Sequence, residues 1–327
     1  MVCMATTMTP THELDDAVAK RVERLNTASV RRVIEPEEEF AWAKLGKGQL
    51  IPDVLLTIDP DEYGLTPEQR ATLSREEVAS LLESGVRFEC VLISAFAMEL
   101  AESRNLVGAR STYALHEMGE ETRHSRAFLR LVEHIDPTAP RLMLKSVPMF
   151  VRKRIQRGLL RHAALLYVFV LAGEEIPDLM QKLATEHPGT DPLLAEVNRY
   201  HRQEEARHLA FARLRLPELQ REASAWERFR MRRTVPFGLH RLFDSMIDPG
   251  VYASVGLPAM RTWIKANRGP RRLAVRYEAC RPILAQVIAA GFIEEGKVPG
   301  PWRRLCHVDR AGNPLPDSPA LPVVPAA

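Results

Sequence analysis

Apolar residues recur every three or four positions through long stretches of this chain, and no useful stretch alternates apolar with polar residues as a strand would. Thr66-Pro67-Glu68-Gln69 is typical of a helix start, with a capping Thr, a Pro in the first turn and Gln three residues after the cap. A second capping box at Ser74 favours a break in that helix. The pattern predicts an all-α protein, with helices over about 13–32, 67–104, 111–134, 163–187 and 192–214, and two or three more between 218 and 293.

Breaks in the pattern suggest four regions. Residues 1–65 form an N-terminal helix and an extended connection, and 66–215 form a four-helix bundle. Residues 216–296 supply C-terminal helices that pack on the bundle, bounded by a stop at Pro217 and broken at Pro236 and Pro249. Residues 297–327 are rich in Pro and are predicted to be an extended tail.

Composition excludes several classes of protein. The chain has 327 residues, 46% of them hydrophobic, and a formal net charge of +3, which does not indicate a nucleic-acid partner. Its four Cys are too scattered for a disulfide framework, and Cys90 and Cys280 are predicted to be buried thiols, as expected in a reducing cytoplasm. The longest apolar run, 163–173, is shorter than the roughly 20 residues that span a bilayer, and the start does not resemble a signal peptide. We therefore expect a cytoplasmic protein without membrane contact.

The motif Glu-Glu-x-Arg-His occurs twice, at 120–124 and 204–208, although the chain has only 10 His. Within each copy the second Glu and the His are three residues apart, which places both on one face of a helix. Carboxylate and imidazole together suit iron or manganese, and a Glu-x-x-His from each of two helices is half of the di-iron carboxylate pattern. The other half requires one inward Glu from each of two further helices.

Two such Glu residues precede the motifs at nearly equal distance. Glu89 lies among apolar neighbours 32 residues before Glu121, and Glu174 lies 31 residues before Glu205. The chain is therefore interpreted as a duplicated helix pair that forms a four-helix bundle around two metals. Glu99 and Glu175 are rivals for the two single-Glu positions.

Further residues near the motifs have more than one interpretation. His201 precedes Glu205 by four residues, so it is either another ligand or a surface or capping residue near the helix start. Arg123 and Arg207 are expected in outer or interhelix ion pairs. Three tyrosines are expected in the core, with Tyr200 the one to consider as a redox centre (Tyr113, Tyr167 and Tyr200).

The whole set resembles the di-iron N-oxygenases typified by the p-aminobenzoate N-oxygenase of aureothin biosynthesis, within the ferritin-like superfamily. That family uses a single Glu, a Glu-x-x-His, a second single Glu and a His-x-x-x-Glu-x-x-His, and the match covers about residues 67–215. The resemblance assigns seven metal ligands: Glu89, Glu121, His124, Glu174, His201, Glu205 and His208. It implies two iron ions, with manganese able to substitute, a small amine substrate, O2, an external electron donor and a homodimer.

Other functions fit parts of the same pattern. The site could instead hydroxylate or desaturate a carbon skeleton. Iron storage or peroxide detoxification is disfavoured, because the extra terminal helices would obstruct a cage and the chain lacks a Cys-rich iron site. The basic stretch 141–161 is interpreted either as a solvated helix face or as a surface for anionic membranes or an acidic electron donor.

Overall fold

The computed structural model describes residues 10–103, 106–143, 158 and 161–322, and this part of the chain is almost entirely helical. An isolated bridge joins Val308 and Pro314, and the described residues contain no strand, which confirms the all-α prediction. Short 3-10 turns lie at Trp42–Lys44 and Asp53–Leu55. The α-helices are α1 Pro10–Ser29, α2 Pro36–Glu39, α3 Pro67–Glu102, α4 Ala109–Ile135, α5 Ala163–Glu186, α6 Pro192–Glu222, α7 Ala225–Arg233, α8 Val235–Ser245, α9 Gly250–Ala253, α10 Ala259–Arg268, α11 Pro270–Ala289 and α12 Gly300–Cys306.

The centre of the fold is a bundle of two helix pairs. Helix α3 packs against α4, α5 packs against α6, and the pairs meet through α3–α5 and α4–α6 contacts. The predicted capping box at Thr66 and Gln69 is present. The predicted break at Ser74 is wrong: its hydroxyl accepts the backbone N–H groups of Leu50 and Ile51, so it anchors the preceding connection instead of capping a helix.

The two pairs are in close contact where α3 meets α5. A Cβ atom on Gly173 would lie 1.7 Å from the Phe88 ring, so only glycine allows this contact. Phe88 and Gly173 immediately precede Glu89 and Glu174 in the sequence. The contact therefore sets the separation of the two helices beside the two predicted single-Glu positions.

The C-terminal region contains more helix than its sequence predicts. Five helices, α7 to α11, lie between 225 and 289 instead of two or three, and α6 continues through Pro217 to Glu222. Pro236 lies in the first turn of α8, where its missing N–H leaves no hydrogen bond unmade. Helices α7, α8 and α11 pack on α5, so this region covers one side of the bundle.

The prediction of an extended tail over residues 297–327 is also wrong in part. Residues 300–306 form α12, and Trp302 is fully buried with its indole N–H donated to the Met231 carbonyl, 2.9 Å away. Leu305 and Cys306 join the same apolar cluster. The proline-rich composition therefore conceals a short amphipathic segment that completes the core.

Three remaining expectations have mixed outcomes. Cys280 is buried as expected, whereas the prediction of a buried thiol is wrong for Cys90, which is exposed. Arg141 is no solvated charge, since its guanidinium lies 2.7 Å from Glu83, but most of the basic stretch 141–161 lies outside the described residues. None of the described helices combines the length and apolar character needed to cross a bilayer.

Candidate metal centre

Four helices of the bundle bring the seven predicted ligands into one buried region. All seven are at most 4% exposed. Ligand atoms of two overlapping groups lie within 4.8 Å of one another. The first group is Glu121, His124, Glu205 and His208, and the second is Glu89, His124 and His201.

The two repeated histidines each turn one ring nitrogen toward a carboxylate of the opposite motif. His124 Nε2 lies 3.0 Å from Glu204 Oε2, and His208 Nε2 lies 2.7 Å from Glu120 Oε2. Because an ionised carboxylate only accepts, each Nε2 carries the donated proton and each Nδ1 presents its lone pair to the cluster. The first Glu of each motif therefore orients the histidine of the other copy.

The arginine of the motif ties these outer carboxylates together. Arg207 lies 2.9 Å from Glu120 and 3.3 Å from Glu204, and Arg123 lies 4.0 Å from Glu204. The expectation that both arginines form interhelix ion pairs is confirmed. All four fixed positions of the repeated motif thus have a place in the centre or its support.

His201 belongs to the buried centre and not to the surface. Its Nδ1 lies 2.9 Å from Gln181 Oε1, which accepts the ring proton and leaves the Nε2 lone pair free. That Nε2 lies 3.2 Å from Glu205 Oε1 and 3.6 Å from Glu89 Oε1. His201 therefore has the orientation of a ligand and its own supporting hydrogen bond.

The rivals for the single-Glu positions pair elsewhere. Glu99 accepts the Tyr167 hydroxyl at 3.1 Å and lies 3.2 Å from Arg215 at a partly exposed position. Glu175 forms an ion pair with Arg213. Because each rival already has a cationic partner away from the cluster, Glu89 and Glu174 are the better candidates.

Several atoms of the cluster are buried without a hydrogen-bond partner among the described residues. They are both oxygens of Glu121, one oxygen each of Glu174 and Glu205, and Nδ1 of His124. An unpaired buried carboxylate is costly, and a cation at the centre would satisfy these atoms together. The donor set of carboxylates and imidazoles therefore fits a pair of iron or manganese ions.

The pKa shifts show how crowded the centre is without a cation. Burial raises the pKa of Glu174 well above its ordinary value, and the neighbouring charges of Glu205 and Glu121 raise it further. Burial also acts on Glu205, but the charges of His208 and His201 outweigh it and hold the Glu205 pKa well below its ordinary value. The carboxylates of the centre therefore repel each other, and a bound cation would offset this repulsion.

The tyrosines that the sequence assigns to the core are buried there. Tyr113, Tyr167 and Tyr200 are at most 5% exposed. The Tyr200 ring lies edge-on to His124, with centroids 5.6 Å apart, and burial raises the pKa of its hydroxyl to about 12. Its position against a candidate ligand makes it part of the wall of the centre.

Sequence reasoning missed several residues of the centre. Gln181 and Ser125, whose hydroxyl donates to Glu89, have no local signal because amides and hydroxyls are common on helices. Glu120 and Glu204 do have a signal in the sequence, since the first Glu of the motif is repeated. Glu117 is buried one helical turn before Glu121 and was not considered at all.

A cavity of about 840 Å³ reaches the centre. Glu89, Glu174 and His201 form its inner wall, and Gly173, Pro177 and Gln181 lie beside them. The size falls within the usual range for small-molecule sites, roughly 300–1,000 Å³. Arg241 also lines the cavity and, unlike Arg87 and Arg141, has no ion pair among the described residues.

An all-α bundle with this cluster at its centre defines a ferritin-like protein of the di-metal class. Comparison with known families identifies which one: the model of the p-aminobenzoate N-oxygenase AurF family matches residues 15–291. The chain therefore belongs to that family, whose members carry a di-metal centre.

Individual relatives are more distant. Uncharacterised proteins of Mycobacterium tuberculosis and Mycobacterium bovis are 28% identical over 233 residues, a match that covers 65% of this chain and 66% of each relative. The match thus spans just under two thirds of those relatives. Among solved structures, a variant of an R2-like ligand-binding oxidase with an anaerobically reconstituted Mn/Fe cofactor is 14% identical, covering 93% of this chain and 91% of that one with a TM-score of 0.36.

Proposed function

We propose that this protein is a di-iron oxygenase that oxidises the nitrogen of a small aromatic amine. The irons would be held by the seven buried side chains Glu89, Glu121, His124, Glu174, His201, Glu205 and His208. The observation that carries this proposal is a set of buried candidate ligands on four helices, several of whose atoms have no hydrogen-bond partner among the described residues, beside a cavity large enough for an organic substrate.

Two bound irons would supply O2 activation and electron transfer. The protein's contribution is orientation and exclusion of water. Glu204, Glu120 and Gln181 hold the ring protons of His124, His208 and His201, which aims all three lone pairs inward. Phe88 and Gly173 keep α3 and α5 in contact beside the inner wall of the cavity.

The cavity also supports a substrate class. Its inner wall carries the carboxyl groups of Glu89 and Glu174, whereas Arg241 presents a guanidinium without a carboxylate partner among the described residues. Arg87 and Arg141 are neutralised by Glu83, at 3.0 and 2.7 Å. An amine that also bears a carboxylate would place its nitrogen near the centre and its carboxylate near Arg241.

Metal analysis and product analysis test the proposal in sequence. Protein produced with iron supplied should contain two metal ions per chain, chiefly iron. After chemical reduction and exposure to O2, it should convert an arylamine to its hydroxylamine, nitroso or nitro form, with aminobenzoates preferred over anilines. One metal or none per chain would refute the centre, whereas oxidation only at carbon across a broad panel would refute N-oxygenation.

A further inference from the structure

The two copies of the motif differ at the residue four positions before the second Glu. In the second copy that residue is His201, four before Glu205, and in the first copy it is Glu117, four before Glu121. Four residues turn a helix by about 400°, so each of these side chains lies on the same face as its motif Glu. Glu117 is therefore the counterpart of His201 in the other half of the bundle.

Glu117 is buried in a way that ordinary helix packing does not explain. It is 1% exposed, and neither carboxylate oxygen has a hydrogen-bond partner among the described residues. Leaving a buried carboxyl without a partner destabilises a fold, and more so when the carboxyl is charged. One turn earlier, the Tyr113 hydroxyl is also buried without a partner in the described part of the chain, so no local network there satisfies Glu117.

Glu117 lies on the same face of α4 as Glu121, and the charges that act on it belong to residues of the centre. Burial raises its pKa well above the ordinary value, and the charge of His208 opposes this effect while those of Glu121 and Glu205 add to it. The charges of the same three residues act on the pKa of Glu174. His201 instead lies beside Glu89 and His124.

We infer that Glu117 is a further carboxylate ligand of the centre, binding the metal ion held by Glu174 and His208. The inference rests on the proposed di-metal centre. The two metal positions would then have different donors. One would have the imidazoles of His124 and His201 with Glu89, and the other would have the carboxylates of Glu117 and Glu174 with the imidazole of His208. Because carboxylate oxygen suits manganese and imidazole suits iron, the Glu117 position is the one that admits manganese.

Anaerobic titration of metal-free protein with Fe²⁺ and Mn²⁺ separates the two positions without any assay of turnover. Wild-type protein should take up two equivalents, with manganese competing at one of them. Glu117→Gln should weaken the second equivalent about 10–100-fold, leave the first unchanged and lose the manganese preference. The matched control is Glu175→Gln, which removes a neighbouring buried carboxylate that pairs with Arg213, and both equivalents should bind it normally.

Glu117→His extends the test to the case in which the Gln variant does not fold. It repeats the residue of the other half, so it should restore the second equivalent and shift the preference there from manganese to iron, with an altered Mössbauer spectrum of that iron. Two equivalents bound by Glu117→Gln with wild-type affinity and selectivity would overturn the inference and leave the di-iron proposal standing. Failure of the His variant to restore binding would also overturn it. A wild-type protein that binds no metal would overturn both.

A second, independent observation concerns the outer face of α7 and α8. Thr234 joins the two helices through helical hydrogen bonds. Its N–H donates to the Arg230 carbonyl at 2.9 Å, and the Gly238 N–H donates to the Thr234 carbonyl at 3.1 Å, so α7 and α8 form one nearly continuous helix. Its inner face is buried through Met231, Val235, Leu239 and Phe243. Its outer face carries a stripe at helical spacing, which consists of Trp226, Phe229, Arg230, Arg233 and Phe237.

The stripe combines exposed aromatic rings with unpaired positive charge. Trp226, Phe229 and Phe237 are 46%, 58% and 69% exposed. Arg230 lies over the Trp226 ring at 4.7 Å, and neither it nor Arg233 has an ion pair among the described residues. Aromatic residues and arginine are the types most enriched in the energetic centres of protein interfaces.

We propose that this aromatic–arginine stripe is the docking surface for an acidic redox protein, the electron donor that the proposed function requires. The same helix lines the cavity through Gly238 and Leu242, so a partner on the stripe sits close to the centre. Transient redox complexes use small interfaces steered by opposite charge, which fits a stripe about 17 Å long.

Binding of an acidic plant-type [2Fe–2S] ferredoxin, an acidic flavodoxin and vesicles of anionic phospholipid tests this surface. Wild-type protein should bind at least one of the two redox proteins, more weakly as salt rises. The double variant Arg233→Glu/Phe237→Ala should lose at least about tenfold in affinity and in the rate of reduction by that protein, but not by dithionite. The control Arg261→Glu reverses an exposed arginine on α10, and it should bind like wild type.

Three results would overturn the docking proposal. They are binding of neither redox protein, binding of anionic vesicles alone, and equal binding by the double variant. A protein that is reduced through the stripe yet oxidises no amine would refute the N-oxygenase function alone.

Discussion

The two halves of the bundle share the hydrogen bonds that orient their histidines and differ in one buried side chain beside them. In both halves the first Glu of the motif orients the histidine of the other half, through His124–Glu204 and His208–Glu120. The halves diverge four residues before the second Glu, where one has Glu117 and the other His201. The comparison indicates that a duplicated helix pair keeps its orienting network because each copy supports the other, whereas a ligand position can change in one copy alone.

The single Glu residues differ as well. Glu89 accepts the Ser125 hydroxyl, whereas one oxygen of Glu174 has no partner among the described residues. Both line the cavity. The first half therefore holds its single Glu with a hydrogen bond that the second half lacks at that oxygen.

The largest expected effect comes from removing the second Glu of each copy of the motif. Glu121→Ala and Glu205→Ala should each lose both metals and all activity, because each Glu lies within 4.8 Å of both repeated histidines. Helix content should persist, since Ala is a strong helix former. Elemental analysis with circular dichroism checks this, and two irons retained in either variant would show that the halves are not equivalent at this position.

Removing His201 tests the difference between the halves. His201→Ala leaves six of the seven proposed ligands, so iron should be retained at least in part while turnover falls about 10–100-fold. The measurements are iron content and the lifetime of the transient absorbance after the reduced variant is mixed with O2. Unchanged lifetime and turnover would mean that His201 only packs against Gln181 and Phe128.

A smaller effect should follow when the crossed supports are neutralised. Glu120→Gln and Glu204→Gln each keep a side chain of the same size but remove the charge that orients a histidine. Each should weaken metal binding about tenfold, and Glu120→Gln should weaken it more, because Glu120 is closer to both its histidine and Arg207. Competitive chelator titration measures the affinities, and equal wild-type affinity in both variants would remove the crossed network from the account.

The sequence predicts the repeated features of the molecule well and the unrepeated ones poorly. Helix starts at Thr66 and Asp191 follow from local capping chemistry, and both caps are present. The ligand candidates follow from spacing, because two copies constrain each other. Ser74 and Trp302 were misjudged because their partners, Leu50 and Met231, lie far away in the chain.

Glu117 shows the same limit within the site. An isolated Glu on a charged helix has no sequence signal that distinguishes it from a solvated one. Its burial becomes visible only when α4 packs against α6 and brings His208 and Glu205 toward it.

The smallest predicted effect is on the free energy of unfolding, and it comes from a buried carboxyl outside the metal centre. Glu77 on α3 accepts hydrogen bonds from the Thr57 backbone N–H, at 3.1 Å to Oε2, and from the Thr57 hydroxyl. Burial raises its pKa to about 7, although the Thr57 hydrogen bonds oppose the shift. Unlike the carboxylates of the centre, Glu77 has its partners without a metal.

The contribution of Glu77 to the stability of the protein should therefore depend on pH and not on bound metal. Below the unfolded value of 4.5 both states are protonated. Between 4.5 and about 7 the unfolded state loses its proton first, so the free energy of unfolding falls as pH rises and stays reduced above that range. From pH 5 to pH 8, wild-type protein should lose about 2 kcal/mol more stability than Glu77→Gln, which has no proton to lose. Urea unfolding of the metal-free and metal-loaded forms at both pH values measures this, and a loss that disappears on metal loading would place Glu77 under the control of the centre.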